Sequence, residues 1–436
     1  MEALHELFSI ADPVFYDVPH RLDAEADVYA QALRVPPPDW NRANDGPWTV
    51  LGKSESTLPE QGWKIHVASS LEHSERTIGI AWSYCTERGI SFKFLRSRNM
   101  NITMNAKYAN RGSSGKLIAI YPADEATLRS TLDDLNELLS GVPGPYILSD
   151  LRWRNGPLYL RYGAFAKQFC FNESGERVLA LRGPSGQLEP DVRGTVFSVP
   201  DWAPIPVFIE EQMKAVADSG GHDFPFDVEK SLHFSNGGGV YLAKDRRDGR
   251  RVVLREARPY AGLDTEEHDA VHRLMNEQEV LTKLSGLDFV PKIYGCDRYW
   301  DHYFIVEEYI EGRTLEAEFN HRYPLIKKDP PPTTIRAYTQ WALYIIDDLA
   351  SMLEEIHKRG IVFGDLHPGN VIIRPDGRCA LVDFESSFSL AAGKAASTGA
   401  AGFVSRAARS GTQVDEYALA SMRLFLFLPY QVLLEL

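Results

Sequence analysis

One short segment constrains the fold of this chain more than any other. The stretch from Gly364 to Glu385 reads GDLHPGNVIIRPDGRCALVDFE. Asp365 is followed by Asn370 after five residues and by Asp383 after a further thirteen. This spacing predicts a phosphoryl-transfer site in which Asp365 orients a hydroxyl group while Asn370 and Asp383 hold Mg²⁺ on nucleotide phosphates. The two aspartates could instead cap turns, but the combined spacing favours the site.

From Val228 to its C-terminus, the chain resembles protein kinases and aminoglycoside kinases in the order of its motifs. SNGGGVYLAKD resembles a Gly-rich phosphate loop, MNEQEVLTKL the helix that carries a glutamate, and FIVEEYIEG the hinge that holds the adenine. Glu279 is an alternative to Glu277 on that helix, and the three glycines could form a plain hairpin. The resemblance implies these nucleotide-binding residues: Gly237, Gly238, Gly239, Glu277, Glu307 and Tyr309.

The sequence departs from the kinase pattern at the third strand of the N-terminal lobe. That strand reads VVLREARP, so Arg255 stands where the family carries lysine. Arginine keeps the charge but replaces a compact ammonium with a planar fork, which is not a conservative exchange at a phosphate site. We expect slower catalysis, unless Lys244 on the preceding strand supplies the ammonium. The usual DFG is DFE here, and Glu385 favours a less mobile segment.

The C-terminal end predicts an incomplete kinase lobe. Asp415, in DEYALA, resembles the buried aspartate of a central kinase helix, and the chain closes with the apolar run LFLFLPYQVLLEL. Because such a face would stand in water, we expect a missing cyclase domain, a second copy of the chain or another partner to cover it. The pattern favours a C-terminally truncated version of a longer architecture.

Composition is that of a folded soluble protein. Of 436 residues, 44% are hydrophobic and 25% are charged, and the net charge of −13 disfavours nucleic acid or an anionic membrane as a partner. The four cysteines form no C-x-x-C pair, so we expect neither zinc nor a disulfide framework. The N-terminal stretch is acidic where a signal peptide is basic, which favours a cytoplasmic location.

Proline clusters mark the organisation of the chain. SVPDWAPIP, at 198–206, carries three prolines in nine residues and predicts a linker between two domains, 1–200 and 201–436. VPPPDWNRANDGPW, at 35–48, predicts a long surface loop inside the first domain.

Periodicity predicts an α+β fold for the first domain. Strand-like runs surround one helix with leucines at helical spacing, from Ala126 to Gly141. In the second domain, HFSNGGGVYLAKDRRDGRRVVLREARP predicts three antiparallel strands, and a helix is expected over Glu266 to Leu284.

A basic segment distinguishes the first domain. Between Arg88 and Pro122 there are seven basic residues and no acid, namely Arg88, Lys93, Arg96, Arg98, Lys107, Arg111 and Lys116. Lys93 lies in SFKFL on a half-buried strand, where burial lowers the pKa of an ammonium and makes the amine a usable base. Lys64 and His66, in GWKIHV, are two residues apart and share one face of a strand. A solvated basic face and a structural K-x-H pair are the alternatives.

The order K-x-H, strand lysine, arginines resembles the phosphothreonine lyases of bacterial effectors and the lyase domains of class III and class IV lanthipeptide synthetases. ADPVFYD, MNAKYANRGSSGKLIAIYP and GPYILSDLRW also look like class III members. The resemblance implies that Lys93 removes an α-proton, that His66 protonates a departing phosphate, and that Lys64 and arginines hold phosphate and a carbonyl. Those arginines are Arg111 and Arg161, with Arg152 as a substitute for Arg161 and Arg42 as a further candidate.

Together the resemblances imply an α+β chain with an N-terminal phosphothreonine-lyase-like domain and a two-lobed kinase-like domain. They imply an enzyme that uses ATP or GTP with Mg²⁺ to phosphorylate Ser and Thr of a ribosomal precursor peptide with a leader. Elimination of phosphate would then give dehydroalanine and dehydrobutyrine. The family's cyclase is missing, so ring formation is not expected. The rivals are a kinase with a non-catalytic N-terminal recognition module and a pseudokinase scaffold in which Arg255 signals lost catalysis.

Overall fold

The computed structural model describes residues 27–54, 58–219, 224–393, 400–405 and 409–430. ADPVFYD and the last six residues of the apolar tail lie outside this part of the chain. The chain divides into two compact units. Unit 1 is Met1–Asp223, Phe234–Gly238 and Arg258–Ala270, and unit 2 is Phe224–His233, Gly239–Ala257 and Val271–Leu436.

Unit 1 mixes helices and strands, as the α+β prediction requires. Its helices are α1 (Ala30–Leu33), α2 (Ser74–Arg88), α3 (Arg98–Asn105), α4 (Glu125–Leu138) and α5 (Val207–Ser219). Its strands are β1 (Trp40–Asp45), β2 (Trp48–Lys53), β3 (Gln61–Val67), β4 (Ser91–Leu95), β5 (Ile118–Tyr121), β6 (Leu151–Arg152), β7 (Leu158–Ala164), β8 (Phe169–Phe171), β9 (Arg177–Arg182) and β10 (Leu188–Pro190). The predicted leucine-rich helix is α4, which begins after Asp124, whose side chain accepts from Thr127 N.

Seven strands of unit 1 form one antiparallel sheet in the order β1-β2-β4-β5-β3-β7-β6. Its two faces differ because side chains alternate along each strand. One face carries a continuous apolar row in which Phe92, Ile120 and Ile65 are direct cross-strand neighbours. That face packs on α2 and α4 and forms the buried core of the unit. The opposite face carries the polar residues described below.

The loop predicted for 35–48 is partly wrong. Residues 40–45 form β1, which pairs with β2 through a hairpin and is the edge of the seven-stranded sheet. An edge strand tolerates the neighbouring prolines because only one side of its backbone is paired. The linker segment at 198–206 has no helix or strand, and Trp202 and Ile205 within it pack on the core of unit 1.

Unit 2 combines a five-stranded antiparallel sheet, in the order β11-β12-β13-β15-β14, with a helical region. Its strands are β11 (Phe226–Ser235), β12 (Gly238–Asp245), β13 (Arg251–Ala257), β14 (Ile293–Tyr299), β15 (His302–Glu308), β16 (Arg313–Thr314), β17 (Ile361–Val362), β18 (Val371–Ile373), β19 (Cys379–Leu381) and β20 (Phe388–Ser389). Its helices are α6 (Ala270–Lys283), α7 (Leu315–Arg322), α8 (Pro332–Lys358) and α9 (Gln413–Phe427). The three predicted antiparallel strands and the helix that follows them are β11, β12, β13 and α6.

The core of the helical region lies around α8. Its buried face, which includes Leu349 and Ile356, packs with Met422 and Leu426 of α9. Apolar residues recur at three- and four-residue spacing along α8, so one stripe of a long helix can be buried along its length.

Asp415 ties α9 to the strand that precedes Asp365. Its carboxylate is fully buried and accepts hydrogen bonds from the backbone N–H of Phe363 at 2.9 Å and of Gly364 at 2.8 Å. His357 Nε2 lies 2.8 Å from the same carboxylate. The prediction of a buried aspartate in a central helix therefore agrees with the observed position.

Within the described ranges, no helix combines the length and the apolar character that a bilayer-spanning segment requires.

We predict that Asp415→Ala lowers the free energy of unfolding by about 2–6 kcal/mol, since each of two buried N–H groups left without an acceptor costs about 1–3 kcal/mol. Urea denaturation monitored by circular dichroism measures the change. Glu416→Gln, on the exposed side of the same helix, is the matched control and should stay within about 1 kcal/mol of the parent. Equal losses in both variants would contradict the proposed role of Asp415.

Candidate active sites

The polar face of the unit 1 sheet brings Lys93 and His66 into one row. Lys93 on β4 lies opposite Ala119 on β5, and Ala119 lies opposite His66 on β3. Direct cross-strand neighbours point to the same face, so these three side chains share it. Two strand spacings separate Lys93 from His66 by roughly 10 Å, and Ala119 between them has only a methyl group. The row therefore places only a small side chain between an amine and an imidazole.

His66 is buried and oriented by an acid that sequence analysis missed. Its Nδ1 contacts Asp150 Oδ2. The other carboxylate oxygen of Asp150 accepts from Ser149 Oγ at 2.6 Å and lies 3.5 Å from Lys116 Nζ. Burial acts to raise the pKa of Asp150, but His66 and Lys116 outweigh it and hold that pKa below its usual value. An ionised Asp150 therefore fixes the ring with a proton on Nδ1, which leaves Nε2 for another partner.

Burial lowers the pKa of His66 to about 3, although the Asp150 carboxylate acts in the opposite direction. The imidazole is consequently neutral near pH 7. It becomes a proton donor only when further negative charge arrives beside it, because an anion favours the protonated ring.

Lys64 and Arg161 lie side by side on the same face, as direct neighbours on β3 and β7. Both are buried, and they converge over Gly163, where an added Cβ would lie 2.8 Å from Lys64 Nζ and 2.8 Å from Arg161 Nη1. Glycine is thus required there by the two cations. Arg161 donates to both carboxylate oxygens of Asp191, which also accepts from Arg193 at 3.1 Å.

Lys64, Lys93 and Lys116 are buried or half-buried close to one another, and their pKa values are lowered. Burial is the main cause for each, and it lowers the pKa of Lys93 to about 8. The positive charge of Arg193 lies close enough to act in the same direction on Lys64, Lys93 and Lys116. The Trp48 ring, whose centroid is 4.5 Å from Lys93 Nζ, favours the ammonium form instead. The shared repulsion is evidence that these cations lie close to one another.

The other expected arginines have different surroundings. Arg111 lays its guanidinium over the Phe234 ring at 4.7 Å, next to Gly112, whose carbonyl accepts from Lys116 Nζ at 3.0 Å. Arg152 is held by its own turn, through the carbonyls of Asn155 and Gly156 at 2.9 Å each.

Arg42 lies on the apolar side of the sheet. It pairs with Leu51, which pairs with Phe92, and its guanidinium donates to the Ala32 and Arg34 carbonyls. The expectation that Arg42 reaches the lysine and histidine face is therefore wrong, because strand alternation turns it away.

Sequence analysis missed Asp150, Asp191, Arg193 and the role of Lys116. Asp150 lies in GPYILSDLRW, a segment noted only for its resemblance to a family. A signal was present, since Ser149 and Asp150 form a polar pair within an otherwise apolar run. Their contact with His66 depends on long-range sheet pairing, which local spacing does not reveal.

In unit 2, the loop after β17 holds Asp365 and Asn370 together. Asn370 Nδ2 donates to the backbone carbonyl of Asp365 at 3.0 Å and to its Oδ2 at 3.3 Å. This fixes the amide, and its Oδ1 then remains as an oxygen ligand. His367 orders the turn, since its Nδ1 accepts from Gly369 N at 3.1 Å. A carboxylate and an amide oxygen suit Mg²⁺, so Asn370 and Asp383 fit the expected metal role.

Arg255 on β13 is buried among three acids. Its Nε lies 3.4 Å from Glu277 Oε1 and 3.2 Å from Glu307 Oε2, and its Nη1 lies 3.2 Å from Asp383 Oδ1. Of the two glutamates considered on α6, Glu277 is the one that contacts Arg255. Glu279 is exposed, and its Oε1 lies 2.6 Å from Lys283 Nζ.

Helix α6 also holds the DFE segment. Glu277 Oε1 accepts from the backbone N–H of Phe384 at 2.8 Å, and Asn276 Nδ2 donates to the carbonyls of Glu385 at 3.2 Å and Ser387 at 2.8 Å. Arg273 Nε lies 3.4 Å from Glu385 Oε2. These contacts tie the segment to α6, and its lower mobility stays a prediction.

The Gly-rich segment forms a hairpin between β11 and β12 with a turn at Asn236 and Gly237. Gly238 has a φ of +154°, and an added Cβ at Gly239 would lie 2.4 Å from the hydroxyl of Tyr241. A side chain at position 239 would thus require the Tyr241 ring to move, and the φ of Gly238 is one that other residues rarely adopt.

Lys244 does not reach Arg255. It pairs with Arg251, whereas Arg255 pairs with Val240 at the other end of the hairpin. Four residues of strand separate Lys244 from Val240, roughly 13 Å, and Lys244 is exposed. The proposed substitute ammonium is thus absent from the acidic cluster. Tyr309, in the expected hinge, lies under Arg251, with the guanidinium 4.9 Å from its ring centroid.

Comparison with known proteins gives a match for each half. Residues 28–219 match the RamC N-terminal domain, and residues 226–424 match the protein kinase domain. A probable SapB synthase of Streptomyces coelicolor is 43% identical over 99% of this chain and 47% of its own length, so the chain spans about half of that relative. PrkC, a serine/threonine-protein kinase of Bacillus subtilis, is 30% identical over 35% of this chain and 22% of its own length.

We predict that Lys93→Met raises the free energy of unfolding at pH 7 by about 1–3 kcal/mol, because it removes a buried charge. The folded pKa of Lys93 is about 8 and its ordinary value is 10.5. Between these pH values the unfolded state binds more protons, so the parent gains stability as pH rises and the advantage of the variant shrinks. Urea unfolding at pH 7 and pH 10 measures this.

Lys53→Met, at the exposed end of β2, is the control and should show no such convergence. A stability difference for Lys93→Met that stays constant from pH 7 to pH 10 would contradict the lowered pKa.

Proposed function

This chain belongs to the class III lanthipeptide synthetase family, which joins a RamC N-terminal domain to a protein kinase domain, and from that premise we propose a function. The chain dehydrates a ribosomally made precursor peptide in two steps. Its kinase part, 201–436, phosphorylates Ser and Thr, and its lyase part, 1–200, eliminates the phosphate to leave dehydroalanine or dehydrobutyrine. The protein works in the cytoplasm. The precursor peptide carries a leader.

The observation that carries the lyase proposal is the row Lys93, Ala119, His66 with Lys64 on the same face. The neutral amine of Lys93 takes the α-proton of the phosphorylated residue. The electrons of that C–H bond form the alkene, the Cβ–O bond breaks, and phosphate leaves with its electron pair. His66 protonates the departing phosphate through Nε2 while Asp150 holds Nδ1.

Charge explains how one cleft holds a base and an acid. The phosphate dianion raises the pKa of His66, so the ring becomes an acid only when substrate is bound. Lys64 and Arg193 face the anion, and Arg161 acts beside them while paired with Asp191. Arg111 and Arg152 are weaker candidates because their guanidinium groups lie against Phe234 and in a local turn.

For the kinase, the protein kinase domain implies ATP and Mg²⁺, and GTP is a second possible donor. Asp365 accepts the proton of the attacking Ser or Thr hydroxyl while Asn370 fixes its position. Asn370 and Asp383 would hold Mg²⁺, which neutralises charge on the nucleotide phosphates. Gly237, Gly238 and Gly239 admit the phosphates, Tyr309 lies in the hinge, and Arg255 supplies the cation that lysine supplies in other kinases.

We predict that Lys93→Ala, incubated with precursor peptide, Mg²⁺ and nucleotide, accumulates phosphopeptide, because transfer proceeds and elimination does not. Mass spectrometry measures one added phosphate per modified residue, where the parent enzyme shows loss of water. Lys53→Ala is the matched control and should dehydrate normally. Asp365→Asn should leave the peptide unmodified yet still eliminate phosphate from a chemically phosphorylated peptide.

Unphosphorylated or fully dehydrated peptide from Lys93→Ala would refute this division of labour. Phosphopeptide accumulating in the parent enzyme would instead support a kinase with a non-catalytic recognition module.

We predict that, with bound phosphate keeping His66 protonated, the rate of elimination from a chemically phosphorylated peptide rises with pH, is half-maximal near pH 8 and levels off above about pH 9. The base works only as the free amine, and the lowered pKa of Lys93 is about 8. Below pH 7 the amine fraction, and with it the rate, should fall about tenfold per pH unit. Quenched-flow mass spectrometry gives the profile, and a rate that declines between pH 6 and pH 8 would count against Lys93 as the base.

A further inference from the structure

Arg255 has three acidic partners. Glu277, Glu307 and Asp383 all lie within 3.4 Å of the guanidinium, whose side chain is 13% exposed. Burial raises the pKa of both Glu277 and Glu307, as expected where acids outnumber the available cation. Three carboxyl groups thus surround one guanidinium, so the acidic groups of this cluster outnumber its cation.

Glu307 has the least explained place in this cluster. It lies on β15 two residues beyond Ile305, the direct partner of Arg255, so the two charged side chains are diagonal neighbours on one face of the sheet. Glu307 is 3% exposed, and its Oε2 accepts from Arg255 Nε at 3.2 Å. Its Oε1 is buried, and no residue in the described part of the chain makes a hydrogen bond to it. A buried carboxylate in this state is costly, which points to a specific role.

The chemical difference between arginine and lysine explains why an acid is useful here. Arginine carries an Nε–H halfway along its head group, and a hydrogen bond to it fixes the plane of the fork. Lysine has no equivalent donor. Glu277 also binds Phe384 N, so its Oε1 is shared, whereas Glu307 offers its Oε2 to Arg255.

Arg255 also contacts a residue that is expected to bind Mg²⁺. Its Nη1 donates to Asp383 Oδ1 at 3.2 Å. If Mg²⁺ were held by Asp383, it would compete with Nη1 for that carboxylate, and the Nε contact with Glu307 would then keep the guanidinium in place. The direction of the fork then depends on Glu307.

We propose that Glu307 is a positioning residue for phosphoryl transfer, which holds Arg255 by its Nε so that the two Nη groups face Asp383 and the nucleotide phosphates. Arg255 and Glu307 act as a unit that replaces the lysine of other kinases. This inference rests on the proposed kinase function. The inference also goes beyond that function, because it states that the acid at position 307 is necessary only when arginine stands at position 255.

The test is a double-mutant cycle on the full chain with four proteins: the parent, Glu307→Met, Arg255→Lys, and the double variant. The dissociation constant of ATP with Mg²⁺ is measured by isothermal titration calorimetry, and KM and kcat for peptide phosphorylation are measured separately. In the parent background, Glu307→Met should weaken nucleotide binding about tenfold or more, the size of one hydrogen bond to a charged group. In the Arg255→Lys background the same substitution should change it less than about threefold.

Controls separate positioning from folding. Glu307→Gln keeps an acceptor for Nε and should restore part of the nucleotide affinity. If Glu307→Met does not fold, Glu307→Gln replaces it in the double-mutant cycle. Arg251, on the same strand as Arg255, forms an exposed pair with Glu229 of β11, with Nη2 to Oε2 at 2.9 Å. Glu229→Gln is therefore the matched control and should leave affinity unchanged.

Equal factors in the two backgrounds would overturn this inference and leave the kinase function intact. A parent protein that binds neither ATP nor GTP with Mg²⁺ would overturn the kinase function itself, and the inference with it.

Discussion

Burial of several cations on one face of an antiparallel sheet is the constraint on which the rest of unit 1 depends. Moving an ammonium out of water is costly unless it is paired or loses its proton. Both solutions are used. Asp150 and Asp191 pair with Lys116 and Arg161, while burial lowers the pKa of Lys64 and Lys93. The apolar face on α2 and α4 supplies the stability that such an arrangement needs.

Unit 2 has the opposite imbalance. Three buried or half-buried acids surround Arg255. Asp365 and Asn370, which precede Asp383 in the sequence, add further oxygen atoms. An excess of acid stays unfavourable until a cation arrives, whereas an excess of base stays unfavourable until an anion arrives. The charges of unit 2 therefore favour a cation, in line with the proposed Mg²⁺ site, and those of unit 1 favour an anion, in line with the proposed phosphate site.

The parts of the sites that sequence predicts are those fixed by short-range geometry. Lys64 and His66 share a face because strand periodicity is two, and Asp365 and Asn370 meet because five residues span one tight loop. Partners set by the order of strands were not predictable. Ala119 lies between Lys93 and His66 only because β5 pairs with both β4 and β3, and no local feature of the sequence indicates that order.

The errors have the same origin. Arg42 was expected near the lysines because its charge suited them, but its strand joins the sheet with that side chain on the apolar side. Lys244 was expected near Arg255 because the strands are adjacent, but register separates the two along the hairpin. Adjacent strands bring side chains together only when face and register both agree.

In the proposed lyase, the separation across Ala119 reconciles two conflicting electrostatic demands. A bound phosphate dianion raises the pKa of every nearby basic group, which helps His66 to become an acid but hinders Lys93 as a base. Coulomb energy falls with distance, so the group that touches the phosphate gains most of the shift. With roughly 10 Å between the two strands that carry them, His66 can meet the phosphate while Lys93 faces the α-carbon. Lys116 and Arg193 favour the neutral amine of Lys93 through their positive charge. The same anion therefore favours protonation of His66 at one end of the row and leaves Lys93 at the other end able to accept a proton.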